Sequence, residues 1–160
     1  MTRLATVKTV RLAFESRLAA PAADCWAHAT SVAGIAAEMR PLLKMTIPGG
    51  KASILDFDLV PGRPLFRSWM LLFGVLPVDR SDLTLVELED GRRFLEQSPM
   101  LGMKLWRHER IVTAIPGGTA VIDRLEFAPR LASGLVRWFV RLLFARRHAV
   151  LRRKFGRLPS

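Results

Sequence analysis

Residues able to share protons and charge recur at alternate positions in Trp106-x-His108-x-Arg110. In an extended chain that spacing puts the three side chains on one face. A second alternation, Val121-x-Asp123-x-Leu125-x-Phe127, is apolar except for its carboxylate, so this face should point into a core. A third, Phe94-x-Glu96-x-Ser98, repeats the mixture. If the three faces meet, an apolar interior would hold Glu96, His108, Arg110 and Asp123. Three kinds of chemistry fit such a set. A histidine beside a carboxylate can be poised to move a proton near neutral pH, with His108 as the candidate acid or base. The same groups could orient the polar end of a ligand. They could also simply pair with one another, because Arg110 or Asp123 buried alone would be costly. The alternation leaves all three open.

Other constellations are weaker. Cys25 and His28 could offer two metal ligands from a short helix, but Cys25 is the single cysteine and the other histidines are remote in sequence, so no metal site is expected. Serine, histidine and aspartate are present without a nucleophile-elbow pattern. No glycine-rich phosphate loop occurs, and no cofactor is expected.

These residues need elements to position them. Thr9–Leu18 carries Val10, Leu12, Phe14 and Leu18 on one parity, a strand signal. Pro21 and Asp24 suit the first turn of a helix running to about Ala29. Ser31 can cap a second short helix from Val32 to about Arg40, closed by Pro41 and weakened by Gly34. Strand-length runs follow at Lys44–Ile47, Ser53–Val60, Leu65–Phe73, Leu83–Leu88, Arg93–Ser98, Lys104–Ile115 and Ala120–Ala128. Pro48-Gly49-Gly50, Pro61-Gly62, Asp90-Gly91 and Pro116-Gly117-Gly118 read as turns between them. Gly74–Asp79 reads as a loop. The apolar run Trp69–Val78 reads as a strand buried on both faces or an oligomer contact, the alternative being a cavity mouth or a membrane-touching lip. A long helix, Leu131 to about Phe155, closes the chain. One antiparallel sheet with helices on one side is an α+β layer solution, and a helix crossing a curved sheet can leave a hollow.

The closing helix also carries the charge. Of a net +11, Arg130–Ser160 supplies nine basic residues and no acidic one, leaving a net of +2 before it. Such asymmetry points to nucleic acid or an anionic membrane. At 100° per residue, however, Leu131, Leu135, Phe139, Leu142, Leu143 and Val150 gather on one side, and Arg137, Arg141, His148 and Arg152 on another. The first turns should therefore pack on the sheet, the Arg face should be solvated, and the last turns, where Arg146 and Arg153 interrupt the stripe, should leave the core. No nucleic-acid-binding signature accompanies the basic face. Half of the 160 residues are apolar, enough for one domain with a real core over residues 1–160, its end frayed after about 155. The N-terminal stretch lacks the apolar run of a signal peptide, and the longest apolar run is too short to span a bilayer, so a cytoplasmic location is expected.

The order of elements, together with local motifs, resembles the SRPBCC superfamily, which includes START lipid-transfer domains, birch-pollen-allergen-like proteins and polyketide cyclase/dehydratase-like proteins. The residues carrying the resemblance are Phe14-x-Ser16-x-Leu18-x-Ala20-Pro21-x-x-x-x-Trp26, Met103-Lys104-x-Trp106-x-His108-x-Arg110, Asp123-Arg124-x-x-Phe127, and Phe144-x-x-Arg147-His148-x-x-Leu151-x-x-x-Phe155. It implies a helix-grip fold, in which a curved sheet of about seven strands wraps the last helix around a cavity. The expected function is binding of a small hydrophobic or amphipathic molecule, such as a lipid, polyketide or isoprenoid-like compound. The expected wall is Leu135, Phe139, Leu142 and Leu143 of the helix, with Trp69 and Trp106; Glu96, His108, Arg110 and Asp123 would fix the polar end. The alternatives are a cyclase- or dehydratase-type enzyme and anionic-membrane contact through the basic helix.

Overall fold

A computed structural model of the chain describes residues 6–159. The stretch Met1–Ala5, part of the N-terminus without a signal-like run, lies outside the described residues. Seven strands form one antiparallel sheet: β1 (Val10–Leu18), β2 (Leu43–Met45), β3 (Pro64–Leu72), β4 (Leu76–Glu89), β5 (Arg93–Gln97), β6 (Met103–Ile115) and β7 (Gly118–Pro129). Their spatial order is β1-β7-β6-β5-β4-β3-β2, so β1 closes beside the last strand and the rest is a meander. Helices α1 (Ala22–Thr30) and α2 (Val32–Met39) bridge β1 to β2, and α3 (Ser133–Phe155) lies across the concave face. Among the described residues no helix is long and apolar enough to cross a membrane.

Local chemistry accounts for most of this. Ser31 Oγ accepts from the Gly34 amide and starts α2. Gly34 is required for a second reason: a Cβ there would collide with the His28 carbonyl, so its absence lets α1 and α2 meet at a sharp corner. The turns at Gly91 and Gly117 use positive φ, which sets the β4–β5 and β6–β7 hairpins. Alternation along β1, β6 and β7 sends Phe14, Val112, Val121 and Phe127 inward to a core shared with Leu143, Phe144 and Leu151 of α3.

Four expectations require correction. Ser53–Val60 is not a strand; Ser53 caps a single 3-10 turn, Ile54–Asp56, because its hydroxyl and the Asp56 carboxylate satisfy one another's backbone amides. Gly74–Asp79 is not a loop: Phe73-Gly74 makes a tight turn and β4 starts at Leu76. The Trp69–Val78 run is not buried on both faces, since Trp69, Phe73, Val75, Leu76 and Val78 are all exposed. The end of the chain does not leave the core. Leu151 is buried, Arg157 bridges Leu18, and the Leu158 amide donates to the Arg17 carbonyl, which gives the segment after Phe155 a backbone partner along β1.

Candidate functional site

Between α3, α2 and the β2–β5 part of the sheet lies a cavity of about 670 Å³. Its walls are apolar: Phe66, Leu83, Leu85 and Phe94 from the sheet, Met39 from α2, and Phe139, Leu143 and Phe144 from α3. Three ionisable side chains, Glu96, His108 and Arg147, reach its deep end.

Strand register creates that deep end. Glu96 pairs with His108 across β5–β6, and Arg110 pairs with Asp123 across β6–β7, so alternation points all four inward. Arg110 clasps Asp123 through Nε (2.8 Å to Oδ1) and a terminal nitrogen (2.7 Å to Oδ2). The same carboxylate takes His108 Nε2 at 2.7 Å and His148 Nε2 at 2.8 Å. Arg110 also reaches Glu38 of α2 at 2.8 Å, and Glu38 meets Arg147 Nε at 3.2 Å and lies 3.0 Å from His28 Nε2. Glu96 accepts from Ser98 Oγ at 2.6 Å, and its other oxygen stands 3.7 Å from His108 Nδ1. The buried charges are thus compensated in pairs, as a low-dielectric interior demands.

The electrostatics follow. Burial disfavours the charged forms of Asp123 and Glu38, but the arginines outweigh it: Arg110, by charge and hydrogen bonds, then His108 hold Asp123 well below the usual carboxylate range, and Arg110 and Arg147 do the same for Glu38. Burial likewise opposes protonation of His108; the Asp123 carboxylate and then Glu96 override it, and the pKa of the ring is raised despite the repulsion of Arg147.

The expected site residues divide. Glu96, Trp106, His108, Leu135, Phe139, Leu142 and Leu143 line the cavity. Arg110 and Asp123 do not; both are fully buried behind it, Asp123 touching the lining residue His108 and Arg110 touching Glu38, which in turn holds the lining residue Arg147. Trp69 faces away from the cavity and carries the Arg80 guanidinium 5.7 Å over its ring. The outward face expected for α3 also needs correction. Arg137 and Arg141 are exposed, but His148 is buried and Arg152 donates to Ser16 Oγ at 2.9 Å. The packed face is Val140, Leu143, Phe144, Arg147, His148 and Leu151. Hydrophobic periodicity misplaced it because Glu38 and Asp123 draw Arg147 and His148 inward, which rolls Leu131, Leu135 and Leu142 toward the cavity opening.

Glu38, Arg147 and Ser81 were missed. The signal for Arg147 was present: it falls on the stripe of Val140, Leu143, Phe144 and Leu151, where an apolar residue belongs. Ser81 is buried in the cavity wall, and its Oγ has no hydrogen-bond partner among the described residues. Ser16, His148 and Asp123 do form a Ser–His–Asp chain, with 2.7 and 2.8 Å links. Ser16 is buried outside the cavity with Arg152 donating to its oxygen, so the chain is a packing device without access for a substrate.

A family model described as Domain of unknown function (DUF8410) matches residues 16–155. None of the curated proteins matches the sequence. Among solved structures, protein Ms6760 from Mycobacterium smegmatis is similar at TM-score 0.64 and 16% identity, over 91% of this chain and 93% of that one. Ara h 8.0201 is similar at TM-score 0.56 and 11% identity, over 90% and 98%. DynU16, from the dynemicin biosynthetic locus, is similar at TM-score 0.54 and 15% identity, over 96% of this chain and 51% of that one. At such identities the likeness is one of fold alone: an α+β helix-grip domain.

Proposed function

The chain belongs to the DUF8410 family, a domain of unknown function, and from that premise we propose that it binds a small amphipathic molecule in the cavity under α3. The observation that carries this reading is an apolar cavity of about 670 Å³ whose buried ionisable groups are Glu96, His108 and Arg147, the other two in its lining, Asp79 and Arg130, being more exposed. That volume lies in the range typical of sites for small organic molecules. The apolar body of the ligand is buried against Leu83, Leu85, Phe94 and Phe139, and its polar end meets His108 and Arg147. Arg147 spends its Nε on Glu38 and stacks its guanidinium carbon 4.8 Å over Phe144, while its two terminal nitrogens have no protein acceptor among the described residues. They are donors for a ligand oxygen. Ser81 Oγ offers a further hydrogen bond partway along the wall. Lipid, polyketide and isoprenoid-like compounds all satisfy this description.

The test is native mass spectrometry of the purified protein, followed by titration with 1-anilinonaphthalene-8-sulfonate. The expected result is a carried small molecule, or saturable one-to-one probe binding that Leu83→Trp abolishes by filling the cavity. Binding unchanged by Leu83→Trp in a folded variant sinks the reading.

A second reading, proton transfer to a bound substrate, is favoured by His108 alone. Its Nε2 is committed to Asp123, and Nδ1, 3.7 Å from Glu96, is the one free to serve. With its pKa raised, the ring would act as an acid. Turnover of a candidate substrate that falls as pH rises, and that His108→Gln removes without loss of probe binding, supports it; turnover indifferent to that substitution eliminates it.

A further inference from the structure

The opening of the cavity is as unusual as its interior. Two lips face each other across it. One is the tip of the β3–β4 hairpin, where Phe73, Val75, Leu76 and Val78 are 64%, 79%, 56% and 50% exposed. The other is the start of α3, where Leu135, Trp138 and Leu142 recur at helical spacing and are exposed on one stripe, with Leu131 exposed just ahead of the helix. Leu101, also exposed, stands between them. Phe73, Leu101 and Trp138 line the cavity as well, so the exposed apolar surface is continuous with the buried one. Scattered apolar residues need no explanation, but a ring of them around an opening does.

Two further observations bear on what covers this ring. First, Phe73 and Ala132 are the non-glycine residues with positive φ among those described, at 52° and 50°, and each lies on a lip. A bulky residue in that conformation costs free energy, and here it points Phe73 outward. Second, the ring is flanked by positive charge. Arg137 and Arg141 are exposed beside Trp138 and Leu142, and α3 contains no acidic residue to offset them. The nearest acid on the hairpin side, Asp79, is spent on the Arg80 and Gly102 amides. An apolar crest with tryptophan at its edge and arginines behind matches the layering of a bilayer interface, with acyl chains inside and anionic phosphates outside.

We propose that the cavity mouth docks on an anionic lipid bilayer, the two lips entering the interface while Arg137 and Arg141 meet lipid phosphates. In that pose the cavity opens directly onto the acyl layer, and an apolar molecule passes between them without crossing water. The surface is independent of what the cavity carries.

The experiment is flotation of the full chain with phosphatidylcholine vesicles, with and without about 30% phosphatidylglycerol, at physiological ionic strength. Binding to the anionic vesicles is expected, with a blue shift of tryptophan emission that Trp138→Phe diminishes. Because a protein of this net charge adheres weakly to any anionic surface, one charge-neutral pair of changes and two charge-matched pairs decide the matter. Val75→Ser with Leu76→Ser should weaken binding about tenfold or more. Arg137→Glu with Arg141→Glu should abolish it. Arg11→Glu with Arg107→Glu, on the far face of the sheet, should leave most of it. All are surface changes, and thermal melts confirm folding. Undiminished binding by the apolar-lip variant, with equal losses in the two arginine-reversal variants, overturns the proposal in favour of plain charge attraction. Absence of vesicle binding also overturns it, as does a wild-type dimer that the lip substitutions convert to monomer.

Discussion

Arg110 is fully buried and fully paired, and its pKa is raised because Asp123 and Glu38 outweigh its desolvation. Buried pairs of this kind add little net stability, but removing one partner strands the other. Asp123→Asn should therefore cost about 3–5 kcal/mol, read as a lowered urea midpoint at unchanged slope. Ser81→Ala should behave oppositely: it removes a buried hydroxyl without a partner, so the empty protein should be as stable or up to about 1 kcal/mol more stable while probe affinity falls. The charge cluster also sets a pH window. Asp123 and Glu38 have depressed pKa values, so their contribution is complete above the unfolded carboxylate pKa, about 4, and is lost as pH falls from there toward the folded values. His108 has a raised pKa, so its contribution is complete below the unfolded value, about 6.5, and is lost as pH rises toward the folded one. Thermal stability should peak between about pH 4.5 and 6.5, and His108→Gln should flatten the alkaline limb alone. A melting temperature that climbs steadily from pH 6 to 9 would falsify this assignment.

At the scale of elements, the α1–α2 corner controls the cluster from a distance. Gly34→Ala improves helix propensity by about 1 kcal/mol in isolation. Here the new Cβ meets the His28 carbonyl and Ser31 Oγ, so the corner must open and carry Glu38 away from His28 and Arg147. Net destabilisation is expected, measured by denaturant unfolding, despite the favourable propensity. The sequence reads Gly34 only as a weak point, because a collision between two helices has no signature within either. The same distinction separates what could be read from what could not. Alternation placed Glu96, His108, Arg110 and Asp123 on inner faces, since a strand has only two sides. It did not tell Glu96 and His108, which reach the cavity, from Arg110 and Asp123, which stand behind it, because depth depends on where α2 and α3 cross the sheet. Periodicity found α3 but rolled it the wrong way: the wheel set His148 and Arg152 on the outward face and took no account of Asp123 waiting opposite His148. Likewise Ser53–Val60 has strand composition, and Ser53 with Asp56 closes a 3-10 turn first.

The whole molecule divides into a solid half and a hollow half. On one side α3 packs against β1 and β7, and the charge cluster ties it to β6 and α2. On the other, β2, β3 and β4 stand across the cavity from α3, and their inner side chains, among them Met45, Phe66, Met70 and Leu83, line it. The hydrogen bonds of the hollow half are sound, but few side chains back them, and such regions open at lower free energy than the rest. Amide hydrogen exchange followed by mass spectrometry should therefore protect β1, β6, β7 and the second half of α3 most, and β3, the start of β4 and the first turns of α3 least. Occupying the cavity supplies the missing backing. With saturating 1-anilinonaphthalene-8-sulfonate, exchange should slow in β3, β4 and the start of α3 and stay unchanged in β1 and β7, with a rise in melting temperature that grows with probe concentration. Uniform slowing across both halves would mean that the probe stabilises the fold globally from a surface site. Slowing confined to the hollow half ties ligand and cavity together, since the strands and helix turns that a ligand would touch are those that its arrival backs.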